Sequence, residues 1–377
     1  MLLELSSDQE LFRETTARFL ERHANAAGLR QLRNHPGGFA SDYWRRGAEL
    51  GWTSLLVSEA DGGAAISSSG LVDLTILAHE FGRHAAPGPL VSTNVVAGAL
   101  SAAGGDKALL AGVLSGASIA TWCVSEGAPH CGIGNMSTRI SVEDGDLVLN
   151  GVKRPVESAN QASHLLVTGR TGDGLTQVIV EATARGVSIL PMQGVDLTKR
   201  FSVVRFEDVR VPAANVLGRV GKAAADVERQ FQQALVIVLA EAVGAMQRAF
   251  DMTVEWAFER YSFGRPLASY QALKHRFAQM ATCLQASHAI ADEAARAVAE
   301  GRPDAAEIVS AAKAYVGEYG AELLQECVQL HGGIGVTFEH DLHLFLRRVT
   351  LARTLFGTPE AHRRRVADLI ARKEAAS

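Results

Sequence analysis

Cysteine is scarce, with four in 377 residues. Cys123, Cys131, Cys283 and Cys327 lie far apart and form no C-x-x-C pair, which excludes a zinc ribbon and a disulfide framework and fits a reducing compartment. Long apolar runs are also missing: no stretch of about 18 residues could cross a bilayer. Glu4, Asp8 and Glu10 stand where a signal peptide would be cationic. The expectation is therefore a cytoplasmic chain, neither secreted nor inserted in a membrane. Positive charge is not in excess. Lys and Arg total 37 against 41 Asp and Glu, a net −4, so no broad cationic surface is available to neutralise a nucleic-acid backbone. The run Arg363 to Arg365 reads as the solvated face of a terminal helix. Internal repeats and low-complexity tracts are absent too.

What remains is the composition of a globular enzyme, 47% hydrophobic and 21% charged, long enough for two or three domains. The periodicity divides it. Residues 1–118 read as helical, opened by a capping signature over Ser7, Asp8, Gln9 and Glu10. Further helices are expected from Ser41 to Leu50, Leu71 to Phe81, Asn94 to Ala103 and Lys107 to Leu114. From 119 to 221 the pattern changes to short β-prone runs, at 119–124, 137–142, 147–149, 164–168, 177–180 and 203–206. Asp144-Gly145, Asn150-Gly151 and Gly172 to Gly174 stand between them as turns. Residues 222–377 return to helix in four long segments, about 222–260, 268–300, 304–330 and 338–372, which with short connections imply an antiparallel four-helix bundle.

The chemistry-bearing stretch is Gln329 to Gly335, where glycines end one helix before the next begins near Phe338. Glycine tolerates positive φ and lets bare N–H groups approach a phosphate. Upstream, Arg260, Phe263, Gly264, Pro266 and Gln271 mark another helix end. A guanidinium such as Arg260 suits a pyrophosphate because its donors are forked.

In order and spacing, Arg260-x-x-Phe263-Gly264-x-Pro266, Gln271, Gln329-x-x-Gly332-Gly333-x-Gly335 and Gly357-Thr358 resemble the acyl-CoA dehydrogenase family. Glu49 to Trp52, Glu59 with Gly62-Gly63, and Glu80 to Gly82 extend the resemblance over nearly the whole chain. It implies an α+β fold: an N-terminal helical domain, a middle β-barrel or sandwich domain and the C-terminal bundle. It also implies FAD, held on its ADP side by Arg260, Ser262, Phe263, Gln271, Gln329, Gly332, Gly333 and Thr358, with the ring mainly in a neighbouring subunit. His331 is expected to be a hydrogen-bonded turn residue beside the cofactor.

The departures from the family are equally informative. The β-domain loop that holds flavin and acyl-CoA in relatives is replaced by Val124 to Gly127 and then Ala128 to Asn135, with Glu126 surviving. The family's Lys-x-Trp-Ile-Thr segment is here Lys153-Arg154-Pro155-Val156-Glu157, without the aromatic platform or the hydroxyl. α,β-Dehydrogenation needs a carboxylate to remove the α proton. Yet the two positions that carry it in relatives are Phe356 and Ala234, and Gln232 to Leu235 replace an arginine that helps hold CoA. Glu241, seven residues beyond Ala234 on the same helix face, is about 10 Å away at the usual rise. It reads as a buried, paired structural carboxylate before it reads as a base. Likewise His340 and His343 share a helix face, but no third group completes a metal site.

The resemblance therefore points to the smaller subunit of an α2β2 acyl-CoA dehydrogenase of the actinobacterial steroid type, acting on a bulky acyl-CoA. Electrons would pass to an electron-transferring flavoprotein. Two other readings stay open: a homo-oligomeric flavoenzyme of altered chemistry using Glu241, Glu157 or no protein base, and a cofactor-free structural partner.

Overall fold

The computed structural model describes residues 4–32, 37–127, 136–172 and 174–376. The replaced β-domain loop, 128–135, which contains Cys131, lies outside them.

Helices α1 (Ser7–His23), α2 (Ala26–Gln31), α3 (Ser41–Glu49), α4 (Gly70–Arg83), α5 (Leu90–Ala103) and α6 (Lys107–Leu114) make the N-terminal part. The capping box sits one residue earlier than expected: Ser6 Oγ accepts from Gln9 N, and Gln9 Oε1 accepts from Ser6 N. Helix α2 follows as an element that the periodicity did not predict.

The middle part is one mixed eight-stranded sheet. Its strands are β1 (Ala120–Cys123), β2 (Arg139–Glu143), β3 (Asp146–Glu157), β4 (His164–Thr171), β5 (Gly174–Glu181), β6 (Val187–Met192), β7 (Phe201–Val211) and β8 (Val216–Leu217). They run β6-β7-β3-β2-β4-β5-β8, and β1 pairs in parallel with β4. Alternate residues of neighbouring strands, among them Leu147, Leu149, Leu165, Val167, Val178, Val180, Val204 and Phe206, share one apolar core. Asp144 and Gly145 form the β2–β3 turn, both at positive φ.

Asn150-Gly151 is not a turn. It lies inside β3, where the pairing with β7 slips by one residue. Asn150 is instead clipped to the other strand, its Nδ2 donating to Asp208 Oδ1 at 2.9 Å and its Oδ1 accepting from Asp208 N at 3.0 Å. Gly151 sits at φ 154, and a Cβ there would strike Thr138. The sequence signal was that of a bulge, which shares glycine with turns.

The C-terminal part contains α7 (Ala224–Glu259), a short hairpin β9 (Tyr261–Ser262) and β10 (Arg265–Pro266), then α8 (Gln271–Ala299), α9 (Ala305–His331), α10 (Leu342–Thr354) and α11 (Pro359–Ala376). The single long helix expected over 338–372 is two. Phe356 and Gly357 take φ 60 and 120, which no helix continues through. The break is stabilised by a buried ammonium and a buried imidazole: Lys313 Nζ donates to the carbonyls of Arg353 (3.1 Å) and Gly357 (2.7 Å), and a His362 ring nitrogen bonds the Phe356 carbonyl at 3.0 Å. An ammonium at the C-terminal end of α10 also opposes its dipole.

Two compact units emerge, one comprising 1–30, 75–86 and 235–377, the other 31–74 and 87–234. In the first, backbone-to-backbone approach is made possible by glycine. A Cβ on Gly82 would lie 1.9 Å from the Glu241 carbonyl oxygen, and one on Gly244 would lie 2.0 Å from that of His79. In the second, Trp44, Trp52, Tyr43 and Phe39 form an aromatic cluster, and Asn94 Nδ2 donates to the Trp52 and Leu90 carbonyls, both at 2.9 Å.

Candidate cofactor grip and the positions expected to carry the base

Within the first unit, the end of α7, the β9–β10 hairpin, the start of α8 and the end of α9 present the residues expected to hold the ADP side of a flavin. Tyr261 pairs with Pro266 and Ser262 with Arg265, leaving Phe263-Gly264 as a two-residue turn at φ 51 and 83. The right-handed twist of a hairpin favours such a turn, yet positive φ is costly for a bulky residue, and Phe263 is also 97% exposed. The turn is braced from behind. The Arg265 guanidinium lies 3.9 Å from the centre of the Tyr270 ring, and Tyr270 Oη donates to the Ser262 carbonyl at 2.7 Å. Gln271 is the first residue of α8 and is exposed.

Arg260 follows α7 directly. Its guanidinium sits 5.9 Å over the Trp256 ring, one helical turn earlier, and forms no ion pair among the described residues. The indole in turn stacks on His331, with centroids 5.5 Å apart and planes at 19°. His331 is the last residue of α9, so this stack ends where the glycine turn begins.

Gly332 ends α9 at φ 67, a 3₁₀ turn covers Gly332–Val336, and no atom lies within 4 Å of a Cβ placed on Gly332 or Gly333. Gln329 is exposed on the last turn of α9. The next helix starts at Leu342 rather than near Phe338. Thr358 is committed locally: its Oγ1 accepts from Ala361 N at 3.3 Å as a cap of α11.

These features fit the ADP portion of FAD. The guanidinium has no carboxylate partner, the glycine turn leaves open space for main-chain approach, and two buried polar atoms at its base, Trp256 Nε1 and His331 Nε2, lack hydrogen-bond partners among the described residues.

The positions where relatives place their base hold no carboxylate. Phe356 is half-buried in the α10–α11 turn, and Ala234 is fully buried in α7. Glu241 is a buried carboxylate facing a buried cation, Arg348 Nη1, at 3.9 Å. Arg348 is itself 1% exposed and donates through Nη2 to the Ala86 carbonyl at 2.9 Å.

In the second unit, Glu157 is buried at the end of β3. Its carboxylate accepts from Ser92 N in the first turn of α5 (3.0 Å) and from Lys199 Nζ (3.0 Å). A helix N-terminus, which favours an anion, is thus filled by the chain's own side chain. Glu126 is bound to Lys153, whose Nζ donates to Oε1 at 2.6 Å and to the Val124 carbonyl at 3.2 Å. Ser137 N, Ser137 Oγ and Thr138 N add three further donors to the carboxylate. Burial pushes the Glu126 carboxyl up, but the Lys153 ammonium and these bonds outweigh it and hold the acid down at about 2.

His340 and His343 do not converge. His340 Nδ1 accepts from Leu342 N at 3.2 Å, whereas the His343 ring stacks on Phe338 and bonds its carbonyl at 3.1 Å. No group of three or more potential metal-binding side chains occurs among the described residues.

Models of the acyl-CoA dehydrogenase N-terminal and C-terminal domains match residues 6–115 and 223–371. The chain belongs to the acyl-CoA dehydrogenase family. Membership places it among oxidoreductases acting on CH–CH bonds. Among relatives of this dehydrogenase, the acyl-CoA dehydrogenase IpdE2 of Mycobacterium tuberculosis is 29% identical over 95% of this chain and 96% of its own. The acryloyl-CoA reductase (NADH) of Anaerotignum propionicum is 26% identical over 96% and 94%. A variant of the Tcur3481–Tcur3483 steroid ACAD superposes with a TM-score of 0.88 at 27% identity, covering 98% of this chain and 99% of its own. Butyryl-CoA dehydrogenase from Megasphaera elsdenii shares the fold, with a TM-score of 0.89 at 22% identity over 98% and 100%. Helical, sheet and helical domains therefore follow in the order that the resemblance implied, and no helix among the described residues is long and apolar enough to cross a membrane.

Of the residues around the candidate grip, Trp256, Arg265 and Tyr270 were not singled out from the sequence. Trp256 carried a usable signal, since it stands four residues before Arg260 on a helix.

Proposed function

We propose that this chain is one of two related subunits of a heteromeric FAD-dependent acyl-CoA dehydrogenase, and that it supplies the ADP side of a flavin site completed by its partner. One contrast carries the reading. The grip around Arg260, Phe263 and Gly332-Gly333 is free to take an anion, whereas every carboxylate weighed as a base is absent or engaged inside the chain. Phe356 and Ala234 have no proton-accepting group. Glu241 faces Arg348, and Glu157 is held by Lys199 and Ser92 N.

Bound flavin supplies the hydride acceptor in acyl-CoA α,β-dehydrogenation. In this reading the present chain orients its diphosphate: Arg260 offers forked donors, and the N–H groups of the glycine turn approach the oxygens. Ser262, Phe263, Gln271, Gln329 and Thr358 belong to the same contact region, though Thr358 also serves as a helix cap. The base, the ring platform and the CoA contacts belong to the partner. The likeness to a steroid ACAD supports a bulky, steroid side-chain-like acyl-CoA as substrate; an electron-transferring flavoprotein as acceptor of the electrons and a cytoplasmic α2β2 assembly complete the reading. The domain limits we assign are 1–118, 119–221 and 222–377.

Native mass spectrometry of the chain alone and mixed with a related partner subunit tests the proposal. Two flavins per four chains, only in the mixture, is the expected result. Four flavins in a homotetramer of this chain would reject it.

A further inference from the structure

Arg260 is an exposed guanidinium with no carboxylate to hold it among the described residues, directly after a 36-residue helix. A long side chain in that setting samples many rotamers, and ordering it on binding costs affinity. Here its position is restricted by aromatic contact. The guanidinium lies over the Trp256 indole, the indole lies nearly parallel to the His331 imidazole, and that imidazole meets His340 edge-on, with centroids 4.6 Å apart and planes at 62°.

The stack is anchored at its far end. A His331 ring nitrogen, Nδ1, is 2.8 Å from the Cys327 carbonyl one turn back in α9, and only a protonated Nδ1 donates there. In the neutral ring this leaves Nε2 as a bare acceptor. Burial is the main influence lowering the His331 pKa, and the Cys327 carbonyl opposes it. The ring is 4% exposed and Nε2 has no partner among the described residues; nor has the Trp256 Nε1–H beside it. Two buried polar atoms left without partners are a cost that a purely structural stack would avoid by using Phe at both places. The ladder joins the two halves of the grip, Arg260 after α7 and Gly332-Gly333 after α9.

We propose that Trp256 and His331 are the positioning residues of the cofactor grip: the indole presents the Arg260 guanidinium to the diphosphate, and the imidazole holds the indole in register with the glycine turn. The inference rests on the reading that this chain holds the ADP side of FAD. It adds that the grip is preorganised by an aromatic ladder rather than by ion pairs.

The test measures FAD affinity of the assembled complex by equilibrium dialysis, with flavin absorbance and the melting temperature of the apo-complex recorded in parallel. Trp256→Leu should raise the FAD dissociation constant about 5-fold, the scale of one exposed cation–π contact. Trp256→Phe should recover most of the affinity, because a flat aromatic face remains. His331→Ala should weaken FAD as Trp256→Leu does, and the double variant should lose little more than either single one, since both act through Arg260. Unchanged FAD affinity in both single variants, alongside a loss in Arg260→Ala, would overturn the ladder and leave the half-site reading standing. Unchanged affinity in Arg260→Ala would overturn the half-site reading itself. A melting temperature that falls in Trp256→Leu while affinity holds would assign the stack to folding alone and also reject the proposal.

Discussion

Acid should loosen this protein through two histidines that the fold keeps neutral. His288 on α8 is buried against His79, its ring nitrogen 3.0 Å from Gln247 Oε1, and burial, with the Arg83 guanidinium adding to it, lowers its pKa to about 3. His362 on α11 is buried beside Lys313 and is also lowered to about 3, burial again coming first. An unfolded histidine titrates near 6.5, so between roughly pH 6.5 and 3 the unfolded chain binds protons that the folded chain refuses. The stabilisation is complete above pH 6.5 and is lost as the pH falls. At pH 5 each residue costs about 1.4 kcal/mol times 1.5 pH units, or about 2 kcal/mol, and the pair about 4 kcal/mol. That is a large part of the ~5–15 kcal/mol typical of a domain. Urea unfolding followed by circular dichroism at pH 7 and pH 5 measures it. The variant His288→Gln/His362→Gln will start less stable, but the drop between the two pH values should shrink by about 4 kcal/mol. An identical drop in both proteins would refute the reasoning.

Other outcomes follow from named contacts. Gly82→Ala and Gly244→Ala would each drive a methyl into a facing carbonyl at about 2 Å, so each should lower stability by ~3 kcal/mol or more, seen as a melting shift of many degrees. Glu241→Gln should leave turnover of the assembled enzyme within about 2-fold while destabilising the chain by ~3 kcal/mol, because it strips a buried guanidinium of its countercharge; a 100-fold loss of turnover with intact stability would instead make Glu241 the base. Thr358→Ala should cost about 1 kcal/mol through the lost cap of α11, measured by chemical denaturation.

The fold was legible because periodicity changes twice along the chain and glycine marks most junctions. What it hid were features settled by tertiary contact. The break at Phe356 is a partial case: Gly357 and Pro359, the first residue of α11, mark it in the sequence, while the carbonyl contacts of Lys313 and His362 that hold the bend are visible only in the structure. Strand β6 was missed because its exposed residues alternate weakly around Pro191. At the candidate site, residue identity was enough to single out Arg260 and the glycine turn, which the structure brings together as neighbouring helix ends. Their neighbours, Trp256 under the Arg260 guanidinium and Tyr270 under that of Arg265, are ordinary aromatics until a structure shows what lies on their faces. The engagement of Glu157 was equally hidden, since Lys199 and Ser92 are 42 and 65 residues away in sequence.

The buried pair at the end of β3 constrains which substitutions the chain tolerates. If Glu157 were replaced by a small hydroxyl residue, the Lys199 ammonium, 5% exposed, would lose the Glu157 carboxylate, and Ser92 N at the start of α5 would lose its acceptor. Stranding one partner of such a pair costs ~3–5 kcal/mol. Mutating Lys199 first strands the carboxylate instead. Neither order offers a tolerated single step, so the two positions are free to change only together.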